Sequence, residues 1–165
     1  MRVLRLLRDV GYALAGLALL VAPHVLTTAR GAEPPPHTTT LRGPVPALVK
    51  SVIDGDTFWV IATIWVNQEL TTKVRIRDIN APEIGDHAKC AAERAKGEQA
   101  RTFLAALLEG KSVELFDVRF DKFGGRVDAR VTMLGEKGDT NIGELMVARG
   151  LAVADGARGD WCPPA

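Results

Sequence analysis

At 165 residues, with hydrophobic side chains making up 47%, the chain is long enough for one globular domain plus an appendage and too apolar to be disordered throughout. Its 21 basic and 20 acidic residues leave a formal charge of +1, which argues against a nucleic-acid binder that works through bulk positive charge. No internal repeat and no Walker-type phosphate loop occurs in the sequence.

In chain order, Arg2, Arg5 and Arg8 precede an apolar run, Val10 to Ala22, which ends at Pro23. That run is short for a membrane span and suits a secretory h-region, with Thr27-Thr28-Ala29 offering the small residues a signal peptidase reads. Residues 1–29 are therefore predicted to be a signal peptide. The alternative is an uncleaved N-terminal anchor, the one case in which a membrane becomes a partner. Residues 30–46 contain Pro34-Pro35-Pro36, Thr38-Thr39-Thr40, Pro44 and Pro46, cannot bury a face, and are predicted to be an extended linker. Without residues 1–29, 18 basic and 19 acidic side chains remain. Local clusters stand out from that balance: Lys73, Arg75 and Arg77 together, and Arg119, Lys122, Arg126 and Arg130 together.

The folded domain is expected over residues 47–165. β-branched and aromatic runs predict strands at Ala47–Ile53, Thr57–Val66, Thr72–Ile79, Ser112–Val118 and Arg126–Leu134, with a turn around Asn67-Gln68-Glu69. Ala88–Leu108 has helical composition with an expected break near Gly97 and a stop at Gly110. A second helix is expected from Asn141, a good N-cap, to Arg149. Five short strands with a helix inserted after the third predict an α+β, mainly β fold: a five-stranded OB barrel with two or three helices.

His87 is the only histidine after the linker, lacks a partner at zinc-ligand spacing, and is expected at the surface. Cys90 and Cys162 are the only cysteines. In an exported chain they are expected to pair, closing a loop that the chain-entropy model values at roughly 4–5 kcal/mol. The alternative is two separate thiols.

Three polar stretches interrupt the apolar pattern. Ile53-Asp54-Gly55-Asp56-Thr57 lies between the first two strands. Val74-Arg75-Ile76-Arg77-Asp78-Ile79-Asn80-Ala81-Pro82-Glu83 begins as a strand, with Val74, Ile76 and Asp78 on one face and Arg75, Arg77 and Ile79 on the other. It stops at Pro82, leaving Glu83 just beyond a rigid strand end. Asp121-Lys122-Phe123-Gly124-Gly125-Arg126 joins the last two strands. Aspartates suit a hard divalent ion, and arginine forks match phosphate oxygens bidentately. Each stretch alone also reads as an ordinary turn or strand edge.

In this order, the three stretches resemble the staphylococcal-nuclease (thermonuclease-like) family over roughly Val49 to Ala154. The resemblance implies an OB barrel that hydrolyses DNA or RNA with Ca2+, leaving 3′-phosphorylated products. It implies Arg75, Glu83 and Arg126 as catalytic residues and Asp56, Asn80 and the Ala81 carbonyl as metal ligands. Asp54 and Thr57 then support the ligands, and Lys122 and Phe123 contact substrate. Several positions depart from the family pattern: Asn80 replaces an Asp, Ala81 a Thr and Phe123 a Tyr, and the Gly124-Gly125 pair carries one extra glycine. The sole tyrosine, Tyr12, lies in the export segment, which leaves base stacking to Phe123, Trp161 or neither. The reading that follows is an exported nuclease, periplasmic or secreted, with no stable protein partner implied. Its rivals are a catalytically weakened or inactive nucleic-acid-binding OB module and a non-catalytic envelope scaffold.

Overall fold

The computed structural model describes residues 38–122, 124–136, 138–157 and 159–164. The signal-peptide or anchor reading of residues 1–29, the linker over residues 30–37, and the substrate role of Phe123 lie outside the described residues. Among the described residues no helix is long and apolar enough to cross a membrane.

The strands are β1 (Thr40–Leu41), β2 (Val45–Val52), β3 (Thr57–Trp65), β4 (Gln68–Ile76), β5 (Ile79–Asn80), β6 (Ser112–Phe120), β7 (Val127–Met133), β8 (Thr140–Asn141) and β9 (Val153–Ala154). The α-helices are α1 (Ala91–Leu108) and α2 (Ile142–Ala148), and Gly85–His87 forms one 3-10 turn. β2, β3, β4, β7 and β6 pair in that circular order, β6 returning to β2, which closes the expected five-stranded barrel. Of these five pairings only β4–β7 is parallel. Closure removes the free edges that an open sheet of this size would expose.

Alternation builds the core. Phe58, Val60 and Ala62 of β3, Val74 and Ile76 of β4, Val113 and Leu115 of β6, and Ala129 and Val131 of β7 are all buried in one cluster. From α1 the residues Gly97, Ala100, Leu104 and Leu108 are buried, a stripe at helical spacing that joins the same core. Fully burying side chains such as Phe58 and Leu104 stabilises the fold by about 1.5–3 kcal/mol each.

Four sequence expectations need correction. The strands begin before residue 47: β1 pairs with β6, and Val45 and Pro46 pair with Leu115 and Glu114, so prolines 44 and 46 do not keep this stretch out of the sheet. Pro46 is tolerated there because pairing with β3 begins only at Ala47, so the N–H that proline lacks has no ladder partner to lose. The β3–β4 turn is tighter than expected, with Trp65 opposite Gln68 and Asn67 at φ 58°. The strand expected over Thr72–Ile79 ends at Ile76, because Asp78 takes φ 64°. That left-handed residue breaks the alternation, so Asp78 is exposed and Ile79 buried, the reverse of the face pattern expected from sequence. Finally, α1 runs unbroken through Gly97. This glycine serves close approach: an added Cβ would lie 2.5 Å from the Glu83 carbonyl oxygen and 2.7 Å from that of Pro82.

Candidate active site

The site forms where three chain segments are fixed by pairing. Thr57 at the start of β3 lies opposite Arg75 of β4, which sets Asp56 beside that arginine. Asp128 of β7 is the parallel partner of Arg75. β5 pairs with β9, and the Asp155 N–H donates to the Asp78 carbonyl at 2.9 Å, bringing the segment after α2 to the strand end that carries Asn80. α1 backs the arrangement, since a Cβ on Gly55 would meet Ala81 Cβ at 2.6 Å and Ala100 Cβ at 2.8 Å.

Asp56 is at the centre and 4% exposed. Its Oδ1 accepts from Arg75 Nη1 at 2.7 Å and from the Thr57 hydroxyl at 2.9 Å, and its Oδ2 accepts from the Ala81 N–H at 3.0 Å. The Asp54 carboxylate accepts from the Asp56 N–H at 2.9 Å and caps the turn. Arg75 also donates through Nη2 to the Ile79 carbonyl at 3.2 Å and to Asn80 Oδ1 at 3.3 Å. One guanidinium thus ties β4 to the strand end leading to Glu83. Burial pushes the Asp56 carboxyl above its ordinary value of 3.8. The Arg75 charge, the Ala81 N–H and the Thr57 hydroxyl oppose that rise, and the Asp54 charge adds to it.

A cleft of about 680 Å³ opens over these groups. Arg75, Glu83, Arg126, Asp56, Asn80, Ala81, Asp54 and Lys122 all border it. Glu83 is exposed, as its position past Pro82 requires. The extra glycine does not remove Arg126 from the cleft. Gly124 and Gly125 take φ 70° and 67°, the Asp121 N–H bonds back to the Arg126 carbonyl at 3.2 Å, and the Arg126 side chain forms an ion pair with Asp121. His87 is exposed, as expected. Cys90 and Cys162 are joined in a disulfide, with Cα atoms 6.0 Å apart.

Sequence reasoning missed Phe120, Asp128 and Asp155, which also border the cleft, as do Arg119 and Asp121, noticed in sequence but given no role there. Phe120 is 85% exposed there. For Asp128 a signal existed: Val127, Ala129 and Val131 alternate inward, so Arg126, Asp128 and Arg130 share the polar face of β7. Asp155 depends on the β5–β9 pairing, which two-residue strands do not announce in sequence.

Four cationic and six acidic side chains border the cleft, a formal charge of −2 if all are ionised. A polyanion entering it needs that deficit offset. Among the described residues no three His, Cys, Asp or Glu side chains gather as a metal site. The oxygen set of Asp56, Asn80 and the Ala81 carbonyl nevertheless suits a hard cation, and two of its oxygens already hold the Arg75 guanidinium.

A family model described as staphylococcal nuclease homologue matches residues 73–160, more than half of the chain. The chain belongs to the staphylococcal nuclease family. The match starts at Lys73, after Asp54, Asp56 and Thr57; Asp56 reaches the matched segment through its bonds to Arg75 and Ala81, and Asp54 and Thr57 bond to Asp56. No curated protein matches the chain.

Proposed function

We propose that this protein is an exported nuclease that hydrolyses phosphodiester bonds of DNA or RNA with calcium, leaving 3′-phosphorylated ends. The observation that carries the reading is the convergence of Arg75, Glu83 and Arg126, from three separated stretches of sequence, on one cleft around a buried aspartate. In this reading Arg75 and Arg126 hold the phosphoryl oxygens and stabilise the charge that builds on them as water attacks phosphorus. Glu83 positions that water and takes its proton while the bond to the 5′ oxygen breaks, and that oxygen takes up a proton from solvent to leave as a hydroxyl. Asp56, Asn80 and the Ala81 carbonyl would hold the calcium, with Asp54 and Thr57 fixing Asp56. When bound, calcium supplies positive charge to the phosphoryl oxygens and offsets the acidic cleft. Lys122 and Phe123 contact the substrate strand. The Cys90–Cys162 disulfide supports export to the periplasm or beyond, because such bonds persist in oxidising compartments.

Asn80 favours a second reading, a module that binds nucleic acid with weakened catalysis, since the amide brings no charge to the cation site. Incubating the purified protein with plasmid DNA and with RNA, in calcium and in chelator, decides between them. Calcium-dependent fragments ending in 3′-phosphate support the nuclease. Retention of nucleic acid without cleavage at any calcium level supports the binding module. Mass analysis of protein from the producing cell tests export: loss of about thirty N-terminal residues is expected, and recovery of the intact chain in membranes would favour the anchor.

A further inference from the structure

We propose that the opening beside the main cleft, across the rim formed by Glu83 and Arg126, is a second phosphate subsite, in which Lys73 binds the phosphate next to the one over Arg75; the inference rests on the nuclease reading of the cleft. The opening measures about 610 Å³. Asp54, Glu83 and Arg126 border both cavities, so a strand can pass from one to the other along the protein surface. Arg75 borders the cleft and Lys73 the second opening.

Strand geometry sets the spacing. Lys73 and Arg75 are two apart on β4 and so share a face, opposite Trp59 and Thr57 of β3. Their Cα atoms are therefore about 6.6 Å apart, close to the step between neighbouring phosphates of an extended single strand. The Lys73 ammonium is held in advance, 5.2 Å from the centroid of the Trp59 ring. Its compact charge suits a phosphate met as a point charge, where Arg75 offers a fork. The acids of the opening, Asp54 and Glu83, stand at the shared rim, and Asp54 is already engaged by the Asp56 N–H at 2.9 Å. Away from that rim, the titratable groups bordering the opening among the described residues are Lys73 and His87. Gly124 and Gly125 form part of the wall and bring no side chain into it, and a Cβ on either would meet nothing within 4 Å. The pair that carries the extra glycine thus leaves room for a sugar-phosphate backbone.

The test is binding of a fluorescent thymidine trinucleotide, which has two phosphates, and of the same strand with either phosphate replaced by a neutral methylphosphonate, with calcium present. All proteins carry Glu83→Gln so that bound strands stay intact. The parent is expected to bind the natural strand about fivefold more tightly than the neutralised ones. Lys73→Met keeps the apolar stem over Trp59, removes the charge, and is expected to abolish most of that advantage. Lys73→Arg should retain it. In a salt titration with the natural strand, the slope of log affinity on log salt should become shallower by about 0.7 in Lys73→Met, the worth of one contact to a single strand. An undiminished advantage in Lys73→Met would overturn the subsite. So would an equal loss for charged and neutralised strands, a parent without the advantage, or a parent that binds no strand. Hydrolysis of bis(4-nitrophenyl) phosphate, which has one phosphate and no neighbour, separately tests the nuclease reading in the protein with Glu83 intact. Its absence beside a Lys73-dependent advantage would remove the catalysis and leave the subsite, and its presence without that advantage would do the reverse.

Discussion

Asp56 and Arg75 form a nearly buried ion pair, with side chains 6% and 24% exposed, in which desolvation outweighs attraction for the carboxylate. The sign of its pH dependence follows. Asp56 holds its proton more tightly folded than unfolded, so its contribution to stability is greatest below 3.8 and is lost as the pH rises through the raised folded value. Asp56→Asn removes this titration while keeping an oxygen for the Ala81 N–H. The melting temperature of the variant, compared with that of wild type from pH 3 to 7, is therefore expected to improve as the pH rises; a constant difference would mean that Arg75 fully compensates burial. Asn80 gives a second prediction. Its Oδ1 shares Arg75 with Asp56, so Asn80→Asp should add a carboxylate to the proposed ligand set and tighten calcium binding, measured by calorimetry. Metal-free stability should change little, because the new charge is attracted to Arg75 and repelled by Asp56. Unchanged calcium affinity would place Asn80 away from the ion. Asp54, Asp56, Arg75, Glu83 and Arg126 were legible because their motifs stand out between apolar strands. That Arg75 would engage Asp56 and Asn80 together was not, since it depends on the left-handed turn at Asp78.

Among the elements, α1 has the largest bearing on the site without supplying a group to the chemistry. Composition suggested a break at Gly97, because glycine is a poor helix former, but tertiary packing overrides that preference. Gly97 lets the helix touch the backbone at Pro82 and Glu83, and Ala100 packs against the turn at Gly55. Gly97→Ala sets two effects against each other. Helix propensity favours alanine by about 1 kcal/mol, while contacts of 2.5 and 2.7 Å with carbonyl oxygens cannot be relieved without moving helix or loop. Overpacking of this kind costs about 1–3 kcal/mol, so a net loss of stability is expected. Because the clash falls on the segment that carries Glu83, turnover should fall further than stability alone explains, in a comparison of melting temperature with initial rates well below melting. A stabilised, fully active variant would show that the loop moves freely. The strands themselves were legible to within a few residues because alternation determines which face is buried. The short β5 and β9 were not, as two residues carry no period.

For the molecule as a whole, the barrel strands and the strand end after them build the cleft, and the disulfide ties the tail to the start of α1. Cys90 has two roles: it bonds to Cys162, and as N-cap of α1 its sulfur accepts from the Glu93 N–H at 3.4 Å. Serine keeps a capping oxygen, so Cys90→Ser with Cys162→Ser isolates the cross-link from the cap. A link between positions 72 apart constrains the unfolded chain, and its loss is expected to cost about 4 kcal/mol in a denaturant titration. Reduced wild type should fall to nearly the same midpoint. The closed barrel core has no atom in the link, so far-ultraviolet circular dichroism below melting should be unchanged. The tail, by contrast, then keeps the β5–β9 pairing and the Asp155 N–H bond to the Asp78 carbonyl as its upstream hold, and loses its downstream anchor at Cys162. The double variant is therefore expected to be cut in the tail by limited proteolysis sooner than wild type, with the barrel left intact. If reduction left both the midpoint and the proteolysis of the tail unchanged, the tail would be held by packing alone.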